Sequence, residues 1–274
     1  MSGALTHCRR SVFSWLILMC VGASAWLTSC GPPPRPGSIA ALETTARLSA
    51  ERRERRFAAF EARGALRVDG RATGRLPAVN MHLRAALPDR VRLQAGWLLG
   101  TLGDVVLRAD TLTVWIPGER MGLVLPGLAD TLGVRDPSRF LVRALVAGWV
   151  APHEAWRTAV QDSAGVRLEW DEGGEHWTLQ LDAEARPRTA VVTRGAQQVS
   201  ARYDRWQDAG SAAWPARIEL ADGEGWLRMR FDLDALHSVK RTKRSWFELG
   251  LPDDVRRLEL QDLKRVVAVT RGLR

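Results

Sequence analysis

"VRLQAGWLLGTLGDVVLRADTLTVWIPGERMG", residues 91–122, decides the fold. Its apolar residues return at every second position. Val91, Leu93 and Ala95 alternate with Arg92 and Gln94; Val105, Leu107 and Ala109 follow, then Leu112, Val114 and Ile116. Between these runs stand Gly103-Asp104, Asp110 and Pro117-Gly118, residue types that suit turns. A period of two broken by turn residues marks antiparallel strands with one dry and one wet face. One piece departs from it. Trp97-Leu98-Leu99 places three bulky apolar side chains between Gly96 and Gly100, where a solvent-facing turn is expected.

The same period continues on both sides. Leu66 and Val68 alternate with Arg67 and Asp69, and Met81, Leu83, Ala85 and Leu87 with Asn80, His82 and Arg84. Downstream, Val166, Leu168 and Trp170 run into Gly173-Gly174 and return as Trp177, Leu179 and Leu181. Further hairpins are expected around Gly195-Ala196 and Asp222-Gly223, the latter leading into Leu227, Met229, Phe231 and Leu233. Ser245 to Leu249 is expected to be the last long strand. Helices are expected in two places. Residues 38–62 follow a possible cap at Ser38, carry Ile39, Leu42, Ala46, Ser49, Arg53, Phe57 and Phe60 on one stripe, and stop at Gly64. Residues 123–160 form a helical interlude: Asp136-Pro137-Ser138 starts a helix burying Phe140, Leu141, Ala144 and Leu145, and Pro152-His153-Glu154 starts a short turn. The expected class is α+β: a single curved antiparallel sheet of about eleven strands, a half-barrel, with N-terminal and central helices covering its concave face.

The N-terminal end reads as an export device. Arg9 and Arg10 precede an apolar run from Val12 to Trp26, too short to be a comfortable membrane span, which needs roughly 20 residues. Arg9-Arg10-Ser11-Val12-Phe13 also carries a trace of a twin-arginine pattern. The run ends in Leu27-Thr28-Ser29-Cys30, which resembles the lipobox of bacterial lipoproteins. That resemblance implies cleavage after residue 29 and acylation of Cys30, the one covalent lipid expected and the only prosthetic group. Cys8 and Cys20 leave with the signal, so the mature chain has no disulfide and relies on its core. Residues 30–37 continue as Gly31-Pro32-Pro33-Pro34-Arg35-Pro36-Gly37, a tether that polyproline geometry extends by up to roughly 20 Å. Residues 38–274 form the folded domain.

Charge and composition narrow the function. The chain carries a net charge of +9, nearly all of it arginine, with Lys240, Lys243 and Lys264 as the only lysines. An exported lipoprotein rarely meets nucleic acid, so no nucleic-acid partner is expected; anionic headgroups suit this charge better. Arg52, Arg53, Arg55 and Arg56 make a basic helical turn that reads as a solvated face or an anion site. No enzyme is expected. His82, His153, His176 and His237 have no ligand spacing, and Arg157 stands where a zinc-protease helix needs a second histidine. Asp232 and Asp234 share a strand face as ordinary alternation. No metal site is expected. Ten of the 12 tryptophans follow the signal. Trp115, Trp170, Trp177, Trp206, Trp226, Phe231 and Trp246 are candidates to line an apolar cavity, or else to be plain core or surface.

These residues resemble the LolA/LolB family of bacterial lipoprotein carriers and outer-membrane receptors. The resemblance is strongest over residues 91–150, where Leu99-Gly100 matches a Leu-Gly loop, Ser138 to Trp149 a helical segment, and "SWFELGLPDDVRRLEL" (245–260) a closing strand and Pro turn. It implies a monomeric, lipid-anchored protein on the periplasmic face of the outer membrane. It also implies an acyl-binding concave face, a membrane-contact loop at Trp97, Leu98 and Leu99, and acylated lipoproteins as cargo, handed over by a soluble periplasmic carrier. Acyl transfer of this kind needs no nucleophile: each buried methylene is worth about 0.8 kcal/mol, so a chain slides between apolar places rather than crossing water. The other reading is a lipoprotein scaffold of an envelope complex with the same fold and a filled interior.

Overall fold

The computed structural model describes residues 38–70, 74–97, 100–149, 156–162, 165–209, 212–225 and 227–257. The signal segment, Cys30, the tether, Leu98, Leu99, Pro152-His153-Glu154 and Trp226 lie outside the described residues. The chain divides into two compact units, Met1–Ala41 and Leu42–Arg274. In the first, the Ala41 N–H donates to Ser38 Oγ at 3.2 Å, the cap expected for the first helix.

The second unit is built on one sheet. Its strands are β1 (Ala59–Gly70), β2 (Gly74–Arg75), β3 (Val79–Ala86), β4 (Arg90–Trp97), β5 (Gly100–Arg108), β6 (Thr111–Ile116) and β7 (Met121–Leu125). They continue with β8 (Trp156–Asp162), β9 (Gly165–Glu172), β10 (Glu175–Leu181), β11 (Pro187–Arg194), β12 (Gln197–Ala209), β13 (Ala212–Asp222), β14 (Leu227–Ser238) and β15 (Arg256–Arg257). The order is β15-β7-β6-β5-β4-β3-β1-β14-β13-β12-β11-β10-β9-β8, with β2 attached to β1. The sheet is open and holds 15 strands, against the eleven expected. Two of the extra strands, β2 and β15, are two residues long, and β15 lies parallel to β7.

Register follows the alternation. Leu66 faces Val79 and Phe231, Ala62 faces Leu83 and Leu236, and Leu93 faces Leu83 and Val105. These residues share one apolar face. Arginines and carboxylates occupy the other face and pair across strands. Arg92 meets Asp104 at 2.6 Å, Arg84 meets Glu61 at 3.0 Å and Arg217 meets Asp232 at 2.6 Å, while Arg230 meets Asp232 at 2.9 Å along β14 itself. Burial alone would raise the Asp232 carboxyl, but hydrogen bonds from these two arginines outweigh it and hold the group below its ordinary value.

Three expected boundaries are corrected. The first helix, α1 (Ile39–Arg56), stops before Phe57, and Phe60 already belongs to β1. Gly64 does not end the helix; it sits within β1 opposite a bulge at Asp234 of β14, where a Cβ would lie 2.0 Å from the Asp232 carbonyl oxygen. The interlude is only partly helical: α2 (Leu128–Leu132) and α3 (Pro137–Val146) are flanked by β7 and β8. The start of α3 is as expected, with Asp136 Oδ1 accepting the Arg139 N–H at 2.9 Å and Pro137 in the first turn. Finally, Arg244–Phe247 is a 3-10 turn, not a strand. It lies on the polar face, where the Trp246 carbonyl accepts from Arg92 at 3.2 Å.

The helices sit on the apolar face. α3 touches both β4 and β13, which are separated in the sheet by β3, β1 and β14, so it lies across the concavity. Phe140, Val142, Ala144, Leu145 and Val146 are buried there. α1 buries Ala46, Ala50 and Arg53 and meets the end of α3 through Arg53 and Glu54. Arg143 Nε donates to Glu54 at 3.0 Å, and Arg53 Nε donates to the Ala147 carbonyl at 3.1 Å, where α3 ends.

Candidate functional site

Burial along the apolar face is uneven, and the unevenness has a direction. On β14, Phe231 is 2% exposed, Met229 is half-buried and Leu227 is 37% exposed. On β4, Val91 is 2% exposed while Leu93 and Ala95 are half-buried; on β5, Leu107 is buried and Val105 half-buried. Val68 and Val79 repeat the change at the ends of β1 and β3. In each of these strands exposure grows toward one end of the sheet, the end where Gly70 pairs with Gly74, Trp97 with Gly100 and Ala221 with Arg228. Leu102, another exposed apolar side chain, stands at that same end. The face stays half-open along the next strands, through Leu112, Val114, Ile116 and Leu125, the last three packed on a small cluster of Met121 and Leu123.

This open apolar strip can hold a flexible hydrocarbon. It offers aliphatic side chains and, among the described residues of β4 and β5, no charged group on its own face, because cross-strand register sends Arg92, Gln94 and Asp104 to the other side. The Trp97 backbone pairs with Gly100 at the open end, so the expected membrane loop springs from the mouth of the strip.

The nominated aromatic residues do not line the strip together. Trp170 and Trp177 are on the apolar face but stack on each other, centroids 5.7 Å apart, and pack with Trp149 and Phe140 beneath α3. Trp206 is half-buried beside Tyr203 and under the Arg53 guanidinium, 5.4 Å from its ring. Phe231 is core. Trp115 and Trp246 are on the polar face: Trp115 faces Asp104 and Gly122 in register, and Trp246 lies under Arg84 at 4.9 Å. Neither lines the concavity: Trp115 alternates with the inward Val114 and Ile116 on β6, and the 3-10 turn holds Trp246 against Arg84 and Arg92 on the polar face. The aliphatic residues Leu93, Val105, Leu112 and Val114 were readable from their alternation alone but carried no tryptophan to draw notice.

Titratable groups near the helices are structural. Burial lowers the Arg53 guanidinium to about 10, an effect Tyr203 partly offsets. Burial likewise lowers Arg143 against the pull of Glu54, and raises the Tyr203 phenol, whose oxygen accepts the Trp149 indole N–H at 2.5 Å. Among the described residues, no cluster of three His, Cys, Asp or Glu side chains could hold a metal ion, and no helix is long and apolar enough to cross a membrane.

No protein-family model matches the sequence, and no curated protein sequence matches it. Solved structures do. A DUF1329 family protein from Desulfovibrio piger matches with a TM-score of 0.50 at 7% identity, over 77% of this chain and 97% of that one. A LolA superfamily protein from Nitrosomonas europaea matches with a TM-score of 0.49 at 12% identity, over 76% and 97%. An outer membrane lipoprotein-sorting protein domain from Vibrio parahaemolyticus matches with a TM-score of 0.47 at 9% identity, over 77% and 97%. At these identities the likeness is one of fold. The shared fold is the open, curved antiparallel sheet with few helices that the alternation in the sequence leads one to expect.

Proposed function

We propose that this protein is a lipid-anchored envelope protein that holds acyl chains on the open strip of its apolar face. In this reading Cys30 carries the anchor, the tether lifts the domain from the periplasmic face of the outer membrane, and acylated lipoproteins are the cargo. The single observation behind it is the rise in exposure of the apolar face toward one end of the sheet, from Phe231 through Met229 to Leu227 and from Val91 to Ala95. A sealed core would end in polar residues there. An acyl chain laid along Leu93, Val105 and Val114 leaves water without any bond being made or broken, at about 0.8 kcal/mol per methylene. Trp97, Leu98 and Leu99 then act at the mouth, where indole suits the headgroup boundary.

The test is direct. Val105→Phe and Val114→Phe fill the strip with the fold retained, and both are expected to abolish binding of a fluorescent fatty acid and transfer of an acylated lipoprotein to vesicles. Leu99→Glu is expected to leave binding intact and block transfer. Full binding by both filling variants would remove the strip from the mechanism. The scaffold reading draws on a different observation, the filled interior around Trp149, Trp170 and Trp177; it stands if the wild-type protein holds no acyl probe.

A further inference from the structure

The end of the sheet opposite the open mouth has its own character. β14 stops at Ser238, and the Val239 N–H donates to the Ala59 carbonyl at 2.8 Å, which fixes residues 240–244 beside the starts of β1 and the ends of β3. Lys240, Arg241, Lys243 and Arg244 are all exposed. Arg55 and Arg56 end α1 three or four residues before Ala59. In the adjacent strands, Arg90 and Arg108 face each other in register at the same end. The flanking carboxylates are already engaged: Asp89 with Arg90 at 3.7 Å, Glu61 with Arg84 at 3.0 Å, Glu51 with Arg55 at 3.6 Å and Glu248 with Arg244 at 2.7 Å. Lys240, Arg241, Lys243 and Arg108 have no ion-pair partner among the described residues.

The geometry points to this basic end as a docking surface for the anionic headgroups of a lipid bilayer. Cations spread over the ends of several neighbouring strands suit a flat field of negative charge better than a single ligand, because nothing here forms a concave cradle. Lysine supports this: in a chain that otherwise uses arginine, two of the three lysines stand in this five-residue stretch. The consequence is an orientation. The basic end and the open mouth lie at opposite ends of the same strands, so one flat bilayer cannot touch both at once. Docked by its basic end, the domain turns the mouth away from the membrane, ready to receive cargo; delivery then requires release and tipping on the tether. The receiving and delivering steps rest on the proposed function, whereas the docking does not.

The lysines supply the measurement. The full chain is placed in vesicles of phosphatidylcholine alone, or with roughly 30 mol % phosphatidylglycerol, and reacted with an amine reagent; labelling at Lys240 and Lys243 is read by mass spectrometry. Both are expected to react at least about fivefold more slowly in the anionic vesicles, and to recover in about 0.5 M salt. Arg108→Ser/Arg241→Ser keeps the reporters and is expected to lose at least about half of the protection. Equal labelling in both vesicles overturns the proposal, whether labelling is fast or slow. So does protection by poly-glutamate in detergent that exceeds protection by the anionic vesicles, which would assign the patch to an acidic polymer. Failure of acyl binding with protection intact would sink the proposed function and leave the docking surface standing.

Discussion

The strands β9–β12 and the strands β4–β7 present the same kind of apolar face and finish it differently. In the first group the face stays closed to its end: Val166, Leu168, Leu181, Val192 and Ala201 are fully buried, and Trp170 and Trp177 nearly so. The connection between α2 and α3 caps that end. Arg135 donates its backbone N–H to the buried Glu175 carboxylate, Gln197 Nε2 donates to the Asp130 carbonyl at 3.1 Å, and Gly133 packs so close to Gln197 that a Cβ would lie 2.3 Å from it. In the second group no such cap stands, among the described residues, over Leu93, Val105, Val114 and Leu112, and they remain half-buried. One sheet thus carries a closed half and a half-open half, and the placement of a short helical connection separates them.

This contrast can be broken by measurement. Leu179→Ala, in the closed half, is expected to cost about 3 kcal/mol in urea unfolding, because rigid neighbours leave a cavity. Tyr203→Phe follows, at about 1.5 kcal/mol, since it strands the buried Trp149 indole N–H without its acceptor. Asp232→Asn is expected to cost about 1 kcal/mol at neutral pH by weakening two charged hydrogen bonds on the polar face. Its sign with pH is fixed by the lowered carboxyl. The stability Asp232 lends is complete above its ordinary value of 3.8 and is lost as pH falls through the lower folded value, so wild type and variant converge only in acid. Val114→Ala, in the open half, is expected to cost only about 0.5 kcal/mol while weakening a bound acyl probe several-fold. If Val114→Ala destabilises as much as Leu179→Ala, the two halves are alike and the strip is ordinary core.

Much of this was legible in the residues, and the failures have causes. Alternation from Val91 to Ile116 gave both the strands and their faces, including the side on which Trp115 falls. Choosing cavity residues by size rather than by parity puts Trp115 on the wrong side, and Trp246 lands on the polar face because its segment is a 3-10 turn and not a strand. β7 was missed because Met121-Gly122-Leu123 is buried on both faces and so shows no alternation: Leu251 and Val255 cover its polar side so tightly that a Cβ on Gly122 would lie 2.8 Å from Leu251. Phe57 and Phe60 extended the helical period by chance, since their rings meet edge-on at 6.4 Å across the turn between α1 and β1. The open strip itself was invisible in the sequence. Half-burial depends on where the α2–α3 connection comes to rest, a tertiary fact that no local pattern encodes.

The short parallel pairing of β15 along β7 has a bearing on solution behaviour. β7 would otherwise be the bare margin of the sheet, with Val124 more than half exposed and its backbone groups free to recruit a strand from another molecule. Arg256 and Arg257 occupy that margin with charge, and the Arg256 N–H donates to the Arg120 carbonyl at 3.0 Å. Cutting the chain after Phe247 would strip this guard, and the product is expected to self-associate by strand addition while the half-open apolar face stays unchanged.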